Sequence, residues 1–187
     1  MEINSVSQYN RIVMMKKYIL IVLCFFCSFV LSAQSGHLSF MDIPIDGTIS
    51  EFQAKLKGKG IRHDVKGSAE LPVGRRMFKG IVEGKKSDII VSYTKTTKTV
   101  YHVKVFMTFD DGDQSHYKFY MLHDILKREF TCEKHENSGS GELGVYKAPN
   151  GIIALYTMNM EFGAGLSTYT LHLEYTDSIN SKLPDKE

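Results

Sequence analysis

LSFMDIPIDGTISEFQAKL, residues Leu38 to Leu56, decides the fold of this 187-residue chain. Its first part, Leu38 to Ile45, is apolar and carries Pro44, which cannot donate to a central ladder, so it reads as an edge strand. Asp46-Gly47 makes a turn. Thr48 stands three residues before Glu51, the spacing at which a hydroxyl and a carboxylate each satisfy a backbone N–H left unpaired at a helix start. Ile49, Phe52 and Leu56 then recur on one helical face, with Glu51, Lys55, Lys57 and Lys59 off it, and Gly58 or Gly60 is placed to end the helix in a left-handed conformation. A strand feeding a capped amphipathic helix is a unit that packs on a sheet.

Downstream the plan recurs. Ile61 to Arg76 is polar, punctuated by Gly67, Pro72 and Gly74, and reads as one short strand and a loop. Met77 to Glu83, Asp88 to Thr94 and Thr99 to Phe109 read as three strands of a meander. In the third, Tyr101, Val103, Val105, Met107 and Phe109 alternate with His102, Lys104 and Thr108, giving one apolar and one mixed face. Asp110-Asp111-Gly112-Asp113 breaks the sheet. A second helix is expected from about Gln114 to Phe130, capped by Asp113 or Ser115, with Phe119, Leu122, Ile125, Leu126 and Phe130 on its apolar stripe. Strands are expected again over Thr131 to Glu136, Leu143 to Lys147, Ile152 to Met160 and Thr168 to Thr176. In the last, Tyr169, Leu171, Leu173 and Tyr175 alternate with Thr170, His172 and Glu174. Beyond Asp177 the chain reads as a fraying polar tail. Helix, meander, helix, meander is α+β: two helices packed on one face of an antiparallel meander sheet that is wet on the other. Asp46-Gly47-Thr48 with Phe52, and Asp111-Gly112-Asp113 with Tyr117, introduce the two halves at an offset of 65 residues. A tandem helix-plus-three/four-strand repeat is one reading of that match, and common turn chemistry is the other.

The opening His37-Leu38-x-Phe40, followed by Ile43-Pro44-Ile45-Asp46-Gly47-Thr48, Phe52, Lys55-Leu56 and Lys59-Gly60, resembles small uncharacterised secreted proteins of the Bacteroidota. The resemblance implies a bacterial envelope setting and, by analogy of fold, the helix-plus-sheet repeats of beta-lactamase-inhibitor-like domains. It carries no catalytic residue with it.

Upstream, Lys16-Lys17, an uncharged apolar run from Tyr18 to Leu31, and Ser32-Ala33-Gln34 stand in the order of a secretory signal. The run is shorter than the roughly 20 residues of a spanning helix, so residues 1–33 are expected to be cleaved after Ala33, and residues before Met14 or Met15 read as an over-called start. Leu23 and Phe26 precede Cys24 and Cys27, where a lipid-anchored cysteine wants a small neighbour. The expectation is a soluble protein exported to the periplasm or beyond, with no stable membrane insertion after cleavage. What remains is 154 residues, read as one domain over 34–177 and a 178–187 tail. Cleavage removes Arg11, Lys16, Lys17 and Glu2, so Lys+Arg falls from 23 to 20 and Asp+Glu from 21 to 20, a neutral mature chain. Neutrality argues against general nucleic-acid binding, which needs an excess of Lys and Arg. Cys132 alone survives, so no internal disulfide can form and the apolar core must hold the domain.

Each motif that could carry chemistry has a simpler account. Counting calcium-loop positions from Asp111 puts His116 where the obligatory Gly belongs and Leu122 where the bidentate Glu belongs, so the Asp-rich turn reads as helix capping. His116, Tyr120, His123 and Lys127 fall along one helical face opposite the core stripe, but two His seven residues apart stand about 10 Å apart along the axis, too far to share an ion. His102 and His172 can meet only if their strands are neighbours. Cys132 and His135, three apart on a strand, should point to opposite faces. Gly163-Ala164-Gly165-Leu166 has no following helix and is not a nucleotide fingerprint.

Surface is left. Tyr101, His102 and Lys104 on one strand, Thr170, His172 and Glu174 on another, and Arg75 and Arg76 beside them are the candidate binding residues, because aromatic and Arg side chains anchor interfaces. The expected function is a protein-binding module, inhibitor or immunity-type, with no cofactor, metal or catalytic residue. The alternative is a small periplasmic enzyme or metal-binding protein whose site is assembled only in the fold. A close gathering of His102, His172 and an acid favours the alternative, and a bare sheet favours the first.

Overall fold

The computed structural model describes residues 36–138, 141–162 and 166–183. The expected signal segment lies outside the described residues. β1 (Ser39–Phe40) and β2 (Ile43–Pro44) form a small hairpin, with Phe40 opposite Ile43. The expected single edge strand is folded back on itself because Met41 and Asp42 take φ of 51° and 63°, the left-handed pair that a tight hairpin turn needs. Leu38, Phe40, Ile43 and Ile45 are consequently all buried.

α1 (Ile49–Gly58) starts as its sequence requires. Glu51 N donates to Thr48 Oγ1 (3.4 Å), Thr48 N donates to Glu51 Oε2 (2.7 Å), and Ile49, Phe52 and Leu56 are buried. Gly60, at φ 82°, turns the chain into β3 (Arg62–His63). The stretch that reads as strand and loop also contains a short helix, α2 (Val65–Ala69), capped by Asp64 Oδ1, which accepts from Gly67 N at 3.0 Å.

β4 (Arg75–Val82), β5 (Lys85–Tyr93), β6 (Val100–Phe109), α3 (Gly112–Glu129), β7 (Thr131–Ser138), β8 (Gly141–Ala148), β9 (Gly151–Phe162) and β10 (Leu166–Asp177) follow. α3 begins two residues earlier than its apolar pattern indicates, because Asp111 rather than Asp113 or Ser115 is the cap: its Oδ1 accepts from Asp113 N at 3.0 Å. Ile125 is 39% exposed and lies at the edge of the stripe rather than in the core.

Strands β3 to β10 make one antiparallel sheet in the order β3-β4-β5-β6-β10-β9-β8-β7. Each half of the chain thus gives four strands to this sheet, and the last strand of each half, β6 or β10, meets the other at the centre. On one face Phe78, Ile89, Val105, Leu155 and Leu173 pack with Phe52 and Leu56 of α1 and Phe119, Leu122 and Leu126 of α3 in a single core.

The chain beyond β10 does not fray where it is described. Asn180–Lys182 forms a 3-10 turn, and the buried Asn180 donates from Nδ2 to Ile45 O (3.0 Å) and Val100 O (2.9 Å). Buried Asp177 accepts from Leu38 N (2.8 Å), Ile179 N (3.0 Å) and Asn180 N (2.8 Å), tying the two ends of the domain together. These polar side chains serve backbone groups that would otherwise be buried unpaired.

Candidate functional site

The opposite face of the sheet receives the alternate side chains of every strand. Register places His102, Lys104, Phe106 and Thr108 of β6 beside Thr176, Glu174, His172 and Thr170 of β10, and Tyr156 of β9 beside His172. Of the eight residues that the sequence singles out, His102, Lys104, Thr170, His172 and Glu174 therefore stand together. Tyr101 joins them by a different route. A β-bulge opposite Ser92 and Tyr93 makes Tyr101 the inserted residue, so Val100 takes the buried position and Tyr101 reaches the open face with His102. Arg75 opposes Ser92 and lines the same groove, about 510 Å³ in volume. Arg76 does not. It faces the helices, where Nη1 donates to Gln53 Oε1 of α1 at 2.7 Å.

Glu174 is the centre of the groove. Lys104 Nζ lies 2.7 Å from Glu174 Oε1 and donates to Tyr156 Oη at 2.8 Å; Tyr156 in turn donates to Glu174 Oε1, and His102 Nε2 stands 3.4 Å from Oε2. Hydrogen bonds from His102, Lys104 and Tyr156, working against the cost of burial, hold the Glu174 carboxyl well below the usual carboxylate range. Burial opposes the Lys104 ammonium, but Glu174 and Tyr156 more than offset it and its pKa is raised. Burial, followed by the bond to Glu174, pushes the Tyr156 phenol up.

His172 sits next to this network and is not part of it. Its ring stacks on Tyr156 (4.6 Å between centroids) and meets Phe106 edge-on (4.9 Å). Thr170 Oγ1 donates to Met158 O (3.3 Å), so the 2.9 Å contact between His172 Nε2 and Thr170 Oγ1 is an N–H donated by the imidazole. That leaves Nδ1 as a buried acceptor without a partner among the described residues. Burial, and then the Lys104 charge, lowers the His172 pKa to about 4. The expectation that both histidines face water holds for His102, whose side chain is 20% exposed, and fails for His172 at 6%. Large neighbours on both sides cover it.

No family model, curated protein or solved structure matches the chain, so the site is read from its own geometry. Among the described residues no group of three or more His, Cys, Asp or Glu is arranged to hold a metal ion. His102 and His172 are separated along the strands by the Lys104–Glu174 pair.

The second cluster of histidines lies on the helix side. His123, which falls opposite the core stripe on a helical wheel, is buried. Its Nδ1 bonds the Tyr146 hydroxyl, and its ring is 4.5 Å from that of His135. His116 Nδ1 is instead 3.2 Å from Oε2 of the buried Glu142. A bulge between Cys132 and Lys134 brings Cys132 opposite Tyr146 and His135 opposite Gly144, so both face the helices rather than opposite sides. The thiol contacts Lys134 O (3.5 Å) while His135 packs on His123.

Tyr156, Phe106 and the Tyr101 bulge are what sequence reasoning missed. Tyr156 lies in a nine-residue run, Ile152 to Met160, whose polarity does not alternate. Its role appears only when β9 is paired with β10.

Proposed function

We propose that this is an exported protein-binding module that grips an acidic partner surface with the open face of its sheet. The observation that carries the reading is the charge of that face. On β3 to β6 and β10 it presents Arg62, Arg75, Lys79, Lys86 and Lys104 against Asp88, Glu174 and the Asp64 carboxylate that reaches Lys79. That is an excess of two cations on one face of a chain whose expected mature formal charge is zero. Tyr101 and Phe106 supply aromatic area in the groove, and a second hollow of about 450 Å³ shares Phe106 and reaches Ile81, which is 62% exposed. Shallow hollows spread over a rigid sheet suit a protein surface better than a small substrate. Lys79 is held by Asp64 (2.9 Å) and Lys104 by Glu174, so the face is less basic than nucleic-acid binding requires. The order of Lys16-Lys17, the apolar run and Ala33 supports export to the periplasm or beyond.

The gathering of His102, Glu174, Lys104 and Tyr156 is the observation that favours an enzyme. General acid–base work needs a group whose pKa lies near the working pH. Glu174 is held ionised, Tyr156 and Lys104 are held protonated, and His172 is held neutral. Glu174, Lys104 and Tyr156 therefore fix charge and shape instead of moving protons.

Affinity capture from envelope extract tests the reading. The wild type, and a helix-side control Lys127→Glu, should retain a protein that the open-face double variant Arg62→Glu/Lys86→Glu loses, and retention should weaken with salt. Equal capture by all three sinks it.

A further inference from the structure

On the helix side, independent of the groove, a cavity of about 430 Å³ lies between the last turns of α3, the β1–β2 hairpin and the β8–β9 turn. At about 30 Å³ per water volume it has room for roughly fourteen waters, within the range of small-molecule sites. Its floor is apolar, formed by the buried Leu38, Leu122, Leu126 and Leu173 with Phe130 beside them, and its rim is polar, with Ser39, Asn150 and acidic side chains. Among the described residues Tyr175 contributes the one phenol. Its ring packs edge-on against Phe40 (5.4 Å), and its hydroxyl bonds no described residue.

Asp42, Glu83 and Glu129 line the cavity, and among the described residues no Lys or Arg lines it. Asp42 is paired with Lys59 (3.2 Å), and Lys118 donates to the backbone carbonyl of Glu83 (2.6 Å). The Glu129 carboxylate has no hydrogen-bond or ion-pair partner among the described residues, and the Glu83 carboxylate has none in direct contact, though the Lys118 ammonium lies within its field. His37, the remaining titratable side chain on the wall, is 3.2 Å from Asp177. Glu129 also ends the 18-residue α3, whose last carbonyls carry the negative end of the helix dipole. An apolar floor, a phenol, an acidic rim on which Glu129 is unpaired and a helix C-terminus together select one ligand class.

We propose that this cavity binds a small amphiphilic cation, an alkyl or aralkyl ammonium whose chain lies among Leu122, Leu126 and Leu173 and whose charged head meets Glu83 and Glu129. A fatty acid or anionic detergent of the same length is excluded by the same carboxylates.

Methyl NMR of the purified chain titrated with n-hexylammonium, n-hexanol and n-hexanoate tests the site. Hexylammonium should shift the Leu122, Leu126 and Leu173 methyls saturably, hexanol more weakly, and hexanoate least. Glu129→Gln and Glu83→Gln, both exposed positions, should each weaken hexylammonium roughly two- to fivefold, the worth of an exposed charge pair, and leave hexanol unchanged. Hexanoate binding as tightly as hexylammonium, or an ammonium preference that survives the Glu83→Gln/Glu129→Gln double variant, overturns the proposal. So do shifts that map to other methyls.

Discussion

His172 shows how much one side chain's surroundings decide. Its folded pKa of about 4 lies below the ordinary 6.5, so the folded chain takes up that proton less readily than the unfolded chain does. The stability contributed by keeping the ring neutral is fully present above about pH 6.5 and is lost as the pH falls toward 4. Glu174 is depressed as well, and its contribution, present above the unfolded carboxylate value, is lost only at lower pH. His63 and His123, also lowered chiefly by burial, contribute with the same sign as the pH falls below 6.5. Urea melts at stepped pH should show the wild type losing stability between pH 6.5 and 4, with His172 responsible for at most about 3 kcal/mol. His172→Gln should flatten that part of the slope and keep the further loss at lower pH. An unchanged slope would mean that the imidazole is solvated.

At the scale of elements, the capped helices are the most legible part of the chain and the bulged strands the least. Thr48 and Glu51 announce α1 because both halves of the capping box are local in sequence. Thr48→Ala should cost about 1 kcal/mol in the same melts. Phe52→Ala and Leu122→Ala, which truncate fully or nearly fully buried side chains, should each cost about 2 to 5 kcal/mol. Losses under 1 kcal/mol for both would mean the helical faces are wrongly assigned. The β1–β2 hairpin was hidden because Met41-Asp42 carries no Gly or Asn at its turn, and α2 because five residues are too few for a helical period to show. An inserted residue defeats strand parity. That is why Tyr101 belongs with His102 and not with Val103, and why Cys132 and His135 share a face.

The whole molecule puts its two halves back to back through β6 and β10, and this single pairing makes the site. Lys104 and Glu174 are 70 residues apart in the chain, yet they oppose each other across the two strands. Alternation within β6 and β10 foretold which of their side chains, Tyr101 apart, share the open face. Strand order is a long-range property of the sheet, and no local pattern reveals it. The central claim is that the open face engages a protein, and methyl labelling of Ile and Met reads it directly, because parity divides these residues between the faces. Met77, Ile81, Ile90, Ile152 and Met158 are on the open side, while Ile49, Ile89, Met107 and Ile153 are in the core beneath the helices. On adding the captured partner, the account predicts broadening confined to the first set. Broadening of the second set with the first unmoved would contradict it.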